Sequence, residues 1–80
     1  MRLDKYLKVS RIIKRRTLAN EACDAGRVTV NGKPAKASLD IKVGDEVSIR
    51  FGDKQTTFEV LIVKDAVSKD AATTMYKMIE

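Results

Sequence analysis

Apolar positions recur at helical intervals at the start of this chain. Wound at helical pitch, residues 2–9 gather Leu3, Tyr6 and Leu7 on one side and Arg2, Lys5 and Lys8 on the other. The pattern predicts a short amphipathic helix, one that needs a packing partner to persist. A second helix is predicted from about Thr17, whose hydroxyl suits the capping position. Leu18, Ala19, Ala22, Cys23 and Ala25 form its apolar arc, and Thr17, Asn20, Glu21 and Asp24 its polar one. Gly26 follows where a left-handed stop is expected.

The period then changes from helical to alternating. Val28 and Val30 alternate with Arg27 and Thr29, as in a half-buried strand. Asn31-Gly32 is a hairpin signal, because both residues tolerate positive φ. Pro34 confines the returning segment to a sheet edge or an irregular path. Val43-Gly44-Asp45 and Gly52-Asp53 read as turns. Between them Glu46 to Phe51 is a strand with Val47, Ile49 and Phe51 on one face. Thr56 to Val63 is a last strand with Phe58, Val60 and Ile62 on one face and Leu61 and Val63 on the other. A C-terminal helix over about Ser68 to Ile79, capped by Ser68, would dock through Ala72, Met75, Tyr76 and Ile79. Helices followed by antiparallel strands make an α+β fold. Eighty residues allow one domain with a thin core.

Charge changes this picture from a fold to a binder. Residues 1–36 carry ten Lys or Arg against three acids, a surplus of +7, while residues 37–80 carry six against eight, or −2. A basic half points to a polyanionic partner. Lys14-Arg15-Arg16 lies just before the second helix, where unpaired N–H groups and the macrodipole also favour negative charge. Enzyme classes fall away in turn. The chain has no histidine, hence no imidazole base and none of the usual zinc sets. It has no GxxxxGK[ST] or GxGxxG loop, and Asp45-Glu46 are neighbours that point to opposite sides of a strand. No cofactor or metal is expected. One cysteine, no secretory segment and no apolar run long enough to span a bilayer make the cytoplasm the expected compartment.

The stretches RLDKYL, RRTLANEACDAGRVTVNGKPAK and VGDEV together resemble the S4 RNA-binding domain family. The match is carried by Arg2-Leu3-Asp4 with Leu7, by Gly26-Arg27-Val28 with Val30-Asn31-Gly32, and by Val43-Gly44-Asp45. The resemblance implies an S4-like (alpha-L) fold: two packed N-terminal helices, a small twisted antiparallel sheet and a short C-terminal helix. Residues 1–52 would be the RNA-binding core, and residues 53–80 would complete the same single domain. Within the family the chain is similar to the small stand-alone S4 proteins of bacterial ribosome-associated quality control. It is also similar to a ribosome-associated heat-shock S4 protein that carries a longer basic tail. The likeness implies a monomer that binds the obstructed large ribosomal subunit through rRNA and peptidyl-tRNA. It would hold the tRNA while the tailing factor RqcH extends the stalled chain with alanines.

Arg2 and Arg16 match positions where this family grips RNA, and both suit phosphate contacts. Lys5, Arg11, Lys14 and Arg15 would extend that surface. Lys33 and Lys36 flank the hairpin return, where phosphate contact and plain solvation are equally open. Thr17 is read chiefly as a cap, though its hydroxyl also suits a phosphate seated there. Asp4 is read as a structural partner of a nearby arginine, Tyr6 as core and Cys23 as a small hydrophobe. A DNA-reading helix-turn-helix is disfavoured because the second helix exposes Glu21 and Asp24. A membrane-surface helix is disfavoured because Leu3, Tyr6 and Leu7 offer too little apolar area.

Overall fold

The computed structural model describes residues 1–79; Glu80, the last residue expected to complete the domain, lies outside the described residues. The first helix, α1, spans Leu3–Val9. Leu3, Tyr6 and Leu7 lose all their exposed surface on its inner side. Burial on that scale contributes roughly 1.5–3 kcal/mol per large side chain, which is what lets so short a helix exist. Arg2 stands just before it in extended conformation. The Leu3 N–H donates to the Leu39 carbonyl (2.8 Å) and the Asp4 N–H to the Ala37 carbonyl (3.1 Å). The entry to α1 is thus strapped to the segment that precedes the third strand.

The second helix, α2, spans Arg16–Asp24 and turns Ala19 and Cys23 against α1. It corrects two expectations. It starts at Arg16, not at a Thr17 cap, and the residue outside it, Arg15, makes no side-chain cap bond. A tertiary ion pair of Arg16, described below, draws that residue into the first turn. Leu18, expected in the apolar arc, is 47% exposed, because the packing face runs through Ala19 and Cys23 and leaves Leu18 beside it. The end of α2 is as expected. Gly26 sits at φ 74°. Its N–H donates to the Cys23 carbonyl (3.0 Å), and the Arg27 N–H donates to the Ala22 carbonyl (3.0 Å). This is the Schellman arrangement that left-handed glycine permits.

Five strands follow: β1 (Val28–Val30), β2 (Lys33–Pro34), β3 (Glu46–Phe51), β4 (Lys54–Val60) and β5 (Tyr76–Met78). They form one sheet in the order β2-β1-β3-β4-β5, and every neighbouring pair is antiparallel. Asn31 (φ 53°) and Gly32 (φ 82°) make the β1–β2 turn, with Pro34 on an edge strand. Val28, Val30, Val47, Ile49, Phe58 and Val60 point inward and meet the apolar faces of both helices. Phe58 stacks near Tyr6 (ring centroids 6.4 Å apart) and meets Tyr76 edge-on at 5.5 Å.

The C-terminal third departs most from the sequence pattern. β4 ends at Val60, because the N–H groups of Leu61 and Ile62 both donate to the Met75 carbonyl (2.8 and 3.1 Å) and the chain leaves the ladder. The expected helix shrinks to one turn, α3 (Lys69–Ala72). Ser68 does cap it, accepting from the Ala71 N–H at 3.2 Å. The hydroxyls of Thr73 and Thr74 then bond back to the carbonyls of Asp70 and Ala71, competing with helix continuation. Residues 76–78 pair instead with β4. Ala72 and Met75 are buried as expected, but Ile79 is exposed. Phe51, expected on the inner face, is 48% exposed at the outer end of β3.

Candidate nucleic-acid interface

The start of α1 and the start of α2 meet over one carboxylate. Asp4 is 2% exposed. Its Oδ1 accepts from its neighbour's backbone, the Lys5 N–H, at 2.7 Å, and from Arg2 Nε at 3.2 Å. Its Oδ2 accepts from Arg2 Nη2 and from Asn20 Nδ2, each at 3.3 Å, and pairs with Arg16 Nε at 3.5 Å. Burial pushes the Asp4 carboxyl up, but the bonds from Arg2, Asn20, the Lys5 N–H and Arg16 together outweigh that push. They hold it below the ordinary carboxylate value.

The two arginines are not consumed by this pairing. Their side chains keep 49% and 48% of their exposure. Among the described residues, Arg2 leaves one terminal nitrogen uncommitted, and Arg16 leaves both. The carboxylate therefore fixes the inner edge of the Arg2 guanidinium with two bonds and holds Arg16 by one contact, while the outer edges of both stay open to solvent. Such planes can take phosphate bidentately. An open groove lined by Asp4, Arg16, Thr17, Asn20 and Glu21 lies beside them. The first turn of α2 holds no acid and no side-chain cap, so its N–H groups and dipole add to the positive potential. Thr17 sits in that turn, exposed, as a groove residue.

The other expected residues are distributed over separate places. Arg11 and Lys14, with Lys8, line one wall of a second groove between the α1–α2 connection and residues 65–67. Arg11 holds this position at φ 63°, a left-handed conformation unusual for a side chain of its size. Lys5 reaches Asp65 across the same region at 3.2 Å, an exposed pair of small energetic worth. Arg15 is exposed and extended, and it lines neither groove. Lys33 and Lys36 stand apart, together with Lys42, on a third surface along the β2 edge. The row of cations read from the sequence is thus three clusters, of which the Arg2–Arg16 cluster is fixed by ion pairing. Asn20, Lys8 and Lys42 are additions to the expected set. Asn20 carried a signal, since it lies four residues after Arg16 and shares its helix face.

Among the described residues no group of three or more His, Cys, Asp or Glu is placed to hold a metal. Burial, aided by the charges of Asp4 and Asp24, pushes the Cys23 thiol up to about 11, which keeps it protonated. Burial, with Tyr76 nearby, raises Tyr6 as well, and its hydroxyl donates to the Met75 carbonyl at 2.8 Å. Tyr6 is core and offers no ring to a base. No described helix is long and apolar enough to cross a membrane.

Known proteins share this chain's sequence and fold. The family model of the S4 domain matches residues 1–47. A protein of Halalkalibacterium halodurans named RQC P-site tRNA stabilizing factor is 59% identical over 78 residues, covering 98% of this chain and 89% of its own. One of the same name from Streptococcus pneumoniae is 60% identical over 79 residues, with coverage of 99% and 90%. Among solved structures, heat shock protein 15 of Vibrio cholerae, determined as a trimer, superposes with a TM-score of 0.90 at 30% identity. That superposition covers 98% of this chain and 80% of that one.

Proposed function

The chain belongs to the S4 domain family, and from that premise we propose that it is a non-catalytic RNA-binding adaptor of ribosome-associated quality control. It binds the obstructed large ribosomal subunit through rRNA and peptidyl-tRNA. It holds the tRNA in place while the tailing factor RqcH adds alanines to the stalled chain. It works in the cytoplasm as a monomer, away from membranes, and needs no cofactor.

The observation that carries this reading is the pair of half-exposed arginines anchored on one buried carboxylate. Holding a tRNA between additions requires donors whose planes are already set, because ordering long side chains at the moment of binding costs affinity. Arg2 meets that requirement through its two bonds to Asp4, Arg16 is tethered beside it by one contact, and Arg11, Lys14, Arg15, Lys5, Thr17, Lys33 and Lys36 supply weaker, sequence-independent phosphate contacts around them. Relatives named for stabilizing P-site tRNA match at 59% and 60% identity, against 30% for the heat-shock neighbour, which favours the tRNA-holding role. Arg2→Ala and Arg16→Ala are each expected to weaken binding to isolated large subunits by about 1.5–3 kcal/mol, with thermal melting still cooperative. Wild-type binding by both variants in a co-sedimentation assay would remove the reading.

A further inference from the structure

The sheet has a second face, turned away from both helices. Side chains that alternate with the buried ones point outward: Thr29 on β1, Ser48 and Arg50 on β3, Gln55 and Thr57 on β4. Thr29 lies opposite Ser48, Ser48 opposite Thr57, and Arg50 opposite Gln55. Ser48 and Thr57 share a hydroxyl hydrogen bond at 2.9 Å. Arg27 joins this face just ahead of β1. The Arg50 N–H donates to the Arg27 carbonyl at 2.9 Å, so the register that pairs Val28 with Ile49 sets Arg27 beside Arg50. Gly26, Arg27, Thr29, Ser48, Arg50 and Gln55 together line a hollow of about 120 Å³.

Two features set this spot apart from an ordinary solvated face. Like charges opposite one another across strands cost stability, yet neither arginine forms an ion pair among the described residues. The acids of the same face lie at its far end, where Glu46 stands opposite Glu59 and Glu59 opposite Lys77. The face is therefore polarised, with cations and hydroxyl groups at one end and acids at the other. Glu21 shares a neighbouring groove with Arg27, and Asp53 lies in the turn after β3; neither lines the hollow. Guanidinium forks flanked by hydroxyl donors, on strands spaced about 5 Å apart, match the oxygens of neighbouring phosphates on one nucleic-acid strand.

We propose that the outer face of the sheet, centred on Arg27 and Arg50, is a second site for an RNA phosphate backbone. It lies across the sheet from the Arg2–Arg16 cluster, so that the domain grips two RNA segments at once. The inference rests on the adaptor reading and deepens it: the helix layer offers one RNA contact, the outer sheet face the other, and the protein acts as a spacer between two RNAs.

The test uses the full chain with isolated large subunits and bulk tRNA. Arg27→Ala/Arg50→Ala is compared with Arg2→Ala/Arg16→Ala and with the charge-preserving Arg27→Lys/Arg50→Lys. Wild type is expected to increase the tRNA that co-sediments with large subunits. Arg27→Ala/Arg50→Ala should abolish that increase. It should leave binding to one of the two RNAs within twofold of wild type and make the salt slope of log K for the other shallower by about 1.5. The lysine pair should restore most of the slope. If Arg27→Ala/Arg50→Ala matches wild type for both RNAs and for tRNA retention while Arg2→Ala/Arg16→Ala fails, the second site is overturned and the adaptor reading stands. If only capture of an acidic protein partner changes, the second site is again overturned. If wild type binds neither RNA, the adaptor reading itself falls.

Discussion

Asp4 shows how one buried side chain can organise a surface that it does not join. It is shielded from solvent, yet it sets the plane of Arg2 and tethers Arg16 and Asn20. Asp4→Asn removes the charge at constant shape and should cost about 1–3 kcal/mol of stability, read as a lower melting temperature at pH 7. The pH dependence has a definite sign. The folded carboxyl is held below its ordinary value. Its contribution is therefore complete above the unfolded carboxylate's titration, near pH 4. It is lost as pH falls through the lowered folded value. The melting gap between wild type and Asp4→Asn should accordingly narrow from pH 7 towards pH 2. Arg11 makes the opposite kind of compromise. At φ 63° it occupies a conformation that glycine adopts without strain. Arg11→Gly should raise stability by roughly 0.5–1 kcal/mol while making the salt dependence of RNA binding shallower by about one contact. Unchanged binding would remove Arg11 from the interface. The sequence showed these residues to be basic or acidic. It did not show that a left-handed backbone holds Arg11, because that depends on how α1 stops.

Among the elements, those up to β3 were largely legible, apart from the start of α2, and those after β4 were not. The faces of α1, the glycine stop of α2 and the Asn31-Gly32 turn follow from local sterics and burial period. Those causes act over a few residues and so can be read in order along the chain. Gly26→Ala should therefore destabilise the domain by about 1 kcal/mol, the cost of forcing a Cβ into a left-handed position. The segment from Thr73 to Ile79 carries a helical stripe, yet Tyr76–Met78 within it forms β5, because β4 presents a free edge and the Thr73 and Thr74 hydroxyls end the helix. Tyr6 is the link that holds this arrangement to α1 through the Met75 carbonyl. Tyr6→Phe should lower the urea midpoint by the equivalent of about 1 kcal/mol at unchanged slope. A larger loss would mean that β5 detaches with it.

For the domain as a body, the uneven charge is the governing quantity. The basic surplus of residues 1–36 faces a slightly acidic remainder, and counterion release should dominate binding. If about six phosphates are contacted, log K should fall with log [salt] at a slope of roughly −4 to −5, measured on isolated large subunits. A slope near zero would exclude a phosphate-centred grip. Local order in the chain, with its apolar faces, its glycine turn positions and the side of the charge balance, is written in short-range patterns, and the faces of α1, the end of α2 and the first hairpin were legible from those. Only folding decided which cations meet. Arg2 and Arg16 share Asp4 because α1 and α2 cross there, while Arg11 with Lys14 and Lys33 with Lys36 are carried to other sides. The reason is physical: a periodic pattern fixes the direction a side chain takes from its own backbone, whereas the meeting of two distant charges is fixed by how whole elements pack.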